Sequence, residues 1–309
     1  MLKAKRAALL VKPEATYGTD AVPTGAANAF MARNIELNPL EQMYDPRDLV
    51  LPFFGNQGEI VGGQYVTGKF QVELAGGGAA GTAPKYGPAL KAAGMSETIV
   101  AVTSVTYAMV SSGEVSTDLY FYLDGRVHKV LGCLMSAKFV MEAGKAPYVE
   151  FNFMGLYVTP SDSANPALTL TGWTKPVAFN KVNTTTLTLH GFAIKASKVE
   201  IDLGNVLDYF NRPNSEAIRW TDRLAKATFT FEEELIAGKD FWTPVNAETT
   251  GALSIIHGAT AGNINTFAAA NVQLTRPKMS QERGIAMLTL EGNLKPSTAG
   301  NDELTLVQT

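Results

Sequence analysis

Val149-Glu150-Phe151-Asn152-Phe153-Met154-Gly155 and Ala286-Met287-Leu288-Thr289-Leu290-Glu291-Gly292 carry the same alternating pattern and the same closing glycine, 137 residues apart. Just downstream, Pro160-Ser161 and Asn165-Pro166-Ala167-Leu168-Thr169-Leu170 return as Pro296-Ser297 and Asn301-Asp302-Glu303-Leu304-Thr305-Leu306, at an offset of 136. Upstream, Ala29-Phe30 and Ile35-Glu36-Leu37 match Ala193-Ile194 and Val199-Glu200-Ile201 at an offset of 164. The chain therefore contains one unit twice. The fall of 28 in the offset places an insertion in the first copy, between Gly76 and Lys138. Two copies are too few for a solenoid, which needs about three, whereas a duplicated unit suits a ring of alike neighbours. The expected division is residues 1–175, with an N-terminal arm, and residues 176–309.

Period two dominates. Phe70, Val72 and Leu74 alternate with Lys69, Gln71 and Glu73; Val199, Ile201 and Leu203 alternate with Lys198, Glu200 and Asp202; Phe229 and Phe231 alternate with Thr228, Thr230 and Glu232. Such alternation marks strands with one dry and one wet face, and the expected fold is mainly β, two tandem β-sandwiches. The insertion reads as hairpins: 103–110, a turn at 111–113, 117–123, then Asp124-Gly125 and 126–131. Each unit has room for one short flanking helix. In the first it falls at 86–93, where Pro88 comes early and Gly94 stops it; in the second, 235–241 or 247–250 could hold it. Two long connections, 38–64 and 204–222, carry Tyr44, Phe53, Phe54, Tyr209, Phe210 and Trp220, so they suggest a partner surface.

At 309 residues there is room for two domains, each with its own core. The net charge of −3 argues against a basic nucleic-acid-gripping face. The single cysteine, Cys133, excludes an intrachain disulfide and reads as a small buried hydrophobe. No stretch approaches the ~20 apolar residues of a membrane span. The N-terminal Lys3, Lys5 and Arg6 precede only five apolar residues, too few for a signal peptide, and read as a basic arm, mobile or docked, of a cytosolic product.

Chemistry-bearing signals are thin. His128, His190 and His257 lack metal-ligand spacing. Gly76-Gly77-Gly78-Ala79-Ala80-Gly81-Thr82 has phosphate-loop glycines but not the lysine. In Glu232-Glu233-Glu234, strand alternation sends the middle carboxylate to the opposite face. No catalytic residue, metal or cofactor is assigned, and the chain is read as no enzyme.

Lys12-Pro13-Glu14-Ala15-Thr16-Tyr17-Gly18-Thr19-Asp20, the strand 70–74, the glycine loop 76–81, Ala83-Pro84, Pro88-Ala89-Leu90-Lys91-Ala92-Ala93-Gly94 and the strand closing at Gly155 resemble the tail tube (major tail) proteins of long-tailed bacteriophages. The resemblance implies β-sandwiches with a flanking helix, whose sheets join neighbours into a β-barrel tube. Closure would remove exposed edges. It also implies a virion protein made in the host bacterial cytoplasm. Its partners would be further copies, tail terminator, tail tip and tape-measure proteins, with DNA only transiently in the lumen and no membrane. Duplication suggests a trimeric ring of pseudo-sixfold symmetry; the alternative is a hexameric ring.

Two sets of residues follow from that reading. Tyr44, Asp45, Arg47, Phe53, Phe54, Tyr209, Phe210, Arg212 and Trp220 would contact an adjacent ring or subunit. Strand parity puts Glu36, Glu73, Glu150, Glu200, Asp202, Glu232, Glu234 and Glu291 on the lumen face, against Lys69, Lys198, Arg33 and Lys138, so carboxylates would outnumber cations. A competing reading is a β-sandwich fibre or carbohydrate-binding surface module; an unrecognised enzyme would need a concave cluster of titratable groups.

Overall fold

A computed structural model describes residues 2–309. In chain order the first half holds β1 (Ala7–Pro13), α1 (Gly25–Asn28), β2 (Ala29–Phe30), β3 (Ala32–Pro46), β4 (Glu59–Glu73), α2 (Gly87–Ala92), β5 (Met95–Val100), β6 (Ser104–Met109), β7 (Thr117–Leu123), β8 (Arg126–Glu142), β9 (Tyr148–Tyr157) and β10 (Ser161–Asp162). The second holds β11 (Thr184–Leu189), β12 (Phe192–Ala193), β13 (Ala196–Asp202), β14 (Asn205–Arg212), β15 (Ser215–Arg223), β16 (Lys226–Glu232), α3 (Trp242–Asn246), β17 (Thr250–His257), β18 (Asn265–Glu282), β19 (Ile285–Leu294) and β20 (Thr305–Gln308). The fold is mainly β, as the alternation requires.

A main sheet runs β3·β4·β9·β8·β13·β16·β19·β18, every neighbour antiparallel. Its first four strands and its last four follow one order. They meet at a seam where Lys138 to Glu142 of β8 pair with Asp202 to Lys198 of β13. A second layer covers each half: β2·β1·β7 with the start of β8, and β12·β11·β17 with the start of β18. Thus β8 and β18 each serve both layers. Each changes direction at a bulge, between Leu131 and Leu134 or between Thr275 and Lys278, and Gly132 (φ +55°) or Arg276 (φ +51°) takes the left-handed backbone that the bend needs. Ala7–Pro13 is a buried strand with Leu9 and Leu10 inside, so the chain is docked from residue 7 onward; residues 2–6 lie outside it, and Arg6 is tied to Asp124 at 2.8 Å.

Inward residues match the parity reading: Phe70, Val72, Val149, Phe151, Val199, Ile201, Phe229 and Phe231 are fully buried. Phe70 stacks on Phe151 at 5.3 Å, and Phe139 of the first half meets Phe267 of the second edge-on at 5.0 Å. One hydrophobic cluster thus runs through both halves, each fully buried large side chain contributing about 1.5–3 kcal/mol of burial.

The extra element of the first half is the hairpin β5·β6, inside the region where the offsets put the insertion. Its second strand does not pair with β7 as the hairpin reading expected. Both edges of β7 are taken, by β1 and β8, and β6 instead pairs with β20, which in turn lies on β18. The repeat at 165–170 likewise forms no strand, although its counterpart, 301–306, runs into the first two residues of β20: Thr169 N–H is tied to Gly25 carbonyl at 3.0 Å.

The first flanking helix is capped as expected: Ala93 N–H closes on Ala89 carbonyl at 3.0 Å and Gly94 leaves the helix at φ +80°. The second lies between the two expected stretches. Asp240 accepts the N–H groups of Trp242 (2.8 Å) and Thr243 (3.0 Å), an acidic N-terminal cap that fixes its start. The long connections are mostly strand. β3 and β4 continue to Pro46 and from Glu59, leaving only 47–58 as loop, and 204–222 is largely the hairpin β14·β15. Register shifts along β3, between Arg33 and Glu36, Asn38 and Glu41, and Met43 and Tyr44, break the alternation that would have announced them.

Candidate functional site

The outward face of the main sheet is a lattice of charged and hydroxyl side chains set by strand parity. Glu36 pairs with Lys69 at 3.2 Å, Glu200 with Lys138 at 2.9 Å and Lys198 at 2.6 Å, Glu291 with Arg276 at 2.8 Å, and Lys195 with Glu232 at 3.6 Å and Glu234 at 2.7 Å. Gln71 donates to Glu150 at 2.7 Å, and Asp202 accepts Gly204 N–H at 2.9 Å. Burial alone would raise the Glu200 carboxyl, but hydrogen bonds from Lys198 and Lys138 hold it below its ordinary value. Five of the eight carboxylates assigned to this face are therefore neutralised in ion pairs. The sequence reading also missed cations: Lys226, which alternates with buried Ala227, Lys278, which pairs with Thr289, and Lys195 and Arg276. The same parity also carries Glu41, Glu142 and Glu282, so acids and bases are interspersed across the face.

The sheet has two open edges among the described residues. One is the side of β3 away from β4. The other is the end of β18 beyond Gln273, where β17 stops. At the corresponding end of β8 the same edge is occupied by β13. Met279 pairs with buried Leu288 and so faces inward, yet it is 66% exposed.

Because neighbours alternate in direction, β3–β4 and β13–β16 both extend at one end of the molecule, into two arms. The first arm ends in Leu49-Val50-Leu51-Pro52-Phe53-Phe54, closed by Arg47 N–H on Gly58 carbonyl at 3.2 Å. Val50 and Phe54 are more than 100% exposed, Phe53 and Tyr44 more than half, and Asp45 and Arg47 are exposed. The second arm leans on the first: Tyr209 stacks on Tyr65 at 4.9 Å and accepts Gln64 N–H at 3.1 Å, and Asn211 donates to Gly62 carbonyl at 3.1 Å. Phe210 lies 5.1 Å from the Arg212 guanidinium, and Trp220 is half-buried in a small polar cleft with Arg223 and Glu303. Of the nine contact residues read from the sequence, then, Tyr209 and Trp220 are engaged within the chain, while Phe53 and Phe54 stand free.

The opposite end of the molecule has a cavity of about 750 Å³ at the end of the second half, lined by Phe179, Leu187, Ile194, Ile285 and Met287 and reached by Glu232 from the outward face. Nothing in the sequence pointed to it, since its walls come from five separated segments. The glycine loop spends N–H groups on the other half of the chain: Gly76 N–H is bonded to Asn263 (2.8 Å) and Gly78 N–H to Gly262 carbonyl (2.9 Å), and its glycines permit that close approach of the two halves. His257 is buried between Thr184 (3.0 Å) and Val177 carbonyl (3.2 Å), and burial lowers its basicity. Cys133 is fully buried, and burial pushes its thiol up. Among the described residues no group of His, Cys, Asp or Glu is arranged to hold a metal ion, and no helix is long and apolar enough to cross a membrane.

A duplicated sheet with a polar face, one internal seam and two open edges of the same kind defines a β-structured assembly subunit. Residues 4–294 match the sequence family of phage tail tube proteins, and the chain belongs to that family. It is a structural component of the virion tail, where such chains assemble into a tube with other tail proteins. No curated protein matches the chain.

Proposed function

We propose that three chains close head to tail into a ring of pseudo-sixfold symmetry, with residues 1–175 and 176–309 as alike units. The carrying observation is the seam β8·β13: the chain already makes between its halves the joint that the end of β18 and the edge of β3 could make between chains. Inward-facing Met279, uncovered at that open end, supports the same reading, since edge pairing would bury it. Eight strands per chain give a wall of 24 in three chains. The polar face then turns to the channel, with Glu36, Glu73, Glu150, Glu200, Asp202, Glu232, Glu234 and Glu291 along it, and DNA crosses during delivery without lasting contacts. Rings stack through the arms, the tube ends meet terminator and tip proteins, and the tape-measure protein occupies the lumen during assembly. The chain carries no catalysis.

Cryo-electron microscopy of tails from virions tests this. Three chains per ring, with an antiparallel ladder between residues 278–282 and β3 of the next chain, are expected. Six chains per ring, or open edges left unpaired, would overturn it.

A further inference from the structure

The first arm and the second-half cavity lie at opposite ends of the main sheet. The second arm has no apolar tip; it turns at Arg212, Pro213, Asn214 and Ser215. The first half has no matching cavity wall laid bare: on β2, which corresponds to β12 beside the cavity, Trp173 stands edge-on to Phe30 at 5.6 Å and donates to Ala29 carbonyl at 3.3 Å. At the cavity, Ala193 of β12 is exposed and Ile285 half exposed. We infer that the cavity is a socket for the tip Leu49-Val50-Leu51-Pro52-Phe53-Phe54 of a second copy of this chain in the adjacent ring. This rests on the reading of the first arm as an inter-ring contact and names the surface that receives it.

Three observations favour this occupant. The tip offers an apolar knob wholly in solvent, and the cavity lies within the 300–1,000 Å³ range of sites that enclose apolar groups. The charges are compatible: residues 41–59 hold Glu41, Asp45, Asp48 and Glu59 against Arg47, and the rim offers exposed Lys181 and Arg283, its Lys195 being already paired with Glu232 and Glu234. The polarity of the strands puts knob and socket at opposite ends, as repeated stacking along one axis requires.

The test uses tails built from cysteine variants, with Cys133 silent because it is buried. Thr185 is exposed on the socket wall. On oxidation, Phe54→Cys with Thr185→Cys should give a ladder of disulfide-linked multimers in denaturing gels, since a disulfide needs Cα atoms within about 7 Å; either substitution alone should give none. Ala193→Trp, at an exposed position, should leave melting and ring formation unchanged and shorten or abolish tubes. No ladder together with normal tubes in Ala193→Trp would overturn the socket. The reading of the arm still stands in that case if Phe53→Ser with Phe54→Ser blocks stacking, and falls if tubes of that variant reach normal length.

Discussion

Lys138 and Glu200 meet 2.9 Å apart across the seam that joins the two halves, and Lys198 reaches the other oxygen of the same carboxylate at 2.6 Å. One carboxylate thus ties the last strand of the first repeat to the first strand of the next.

Glu200→Gln should lower stability at pH 7 by about 1 kcal/mol, the upper range for a partly exposed pair. The Glu200 carboxyl is held below its ordinary value, so its contribution is complete above the unfolded value and disappears as pH falls through the folded one. The difference in melting between parent and variant should be full at pH 7 and shrink as pH is lowered to 3. An equal loss at both would mean that packing, not charge, is responsible.

Asp118 behaves in the opposite sense. Burial, then the neighbouring Glu14 carboxyl, push it up to about 8. The folded chain therefore keeps a proton that the unfolded chain releases, and this stabilisation, complete below the ordinary Asp value, fades as pH rises towards 8. Asp118→Asn keeps an acceptor for the Ala21 N–H. Its melting temperature should match the parent at pH 4 and exceed it at pH 9; a variant that melts lower at pH 9 refutes the argument.

Gly155 and Gly292 hold matching places. An added Cβ would lie 2.3 Å from Val130 Cγ1 in one and 2.6 Å from Val272 Cγ1 in the other. Gly155→Ala and Gly292→Ala should each cost about 1–3 kcal/mol by overpacking. Val272→Ala should recover part of the loss at Gly292, and a denaturant double-mutant cycle measures that coupling.

Glu73→Lys with Glu150→Lys and Glu232→Lys should still build tails but slow DNA release. Three cations in place of three carboxylates in each chain would create phosphate contacts. Raising salt should relieve the slowing. Unchanged release kinetics would remove these residues from the channel.

The sequence revealed what periodicity can carry. Phe70, Val149, Val199 and Phe229 declared the inner face, the paired glycines declared the duplication, and Pro88 with Gly94 bounded one helix. It was silent where periodicity fails. The bulges of β3 hid the arm, and the turn after β6 looked like a hairpin because competition from β1 and β8 for β7 is a tertiary fact. Arg276 sits in a bulge and Lys195 precedes its strand, so neither enters a parity count. The cavity, assembled from distant segments, has no linear signature.

The pairing of β6 with β20 gives the proposed ring two kinds of joint. Within a chain, adjacent units are braced three ways, by the ladder at β8·β13, by the common core through Phe139 and Phe267, and by a hairpin of one half clasped to the other. Between chains the proposal supplies the edge ladder alone. Such a tube would be a cylinder of six staves glued in pairs: bending and internal pressure would load three lines, and a tail that fails would split along those.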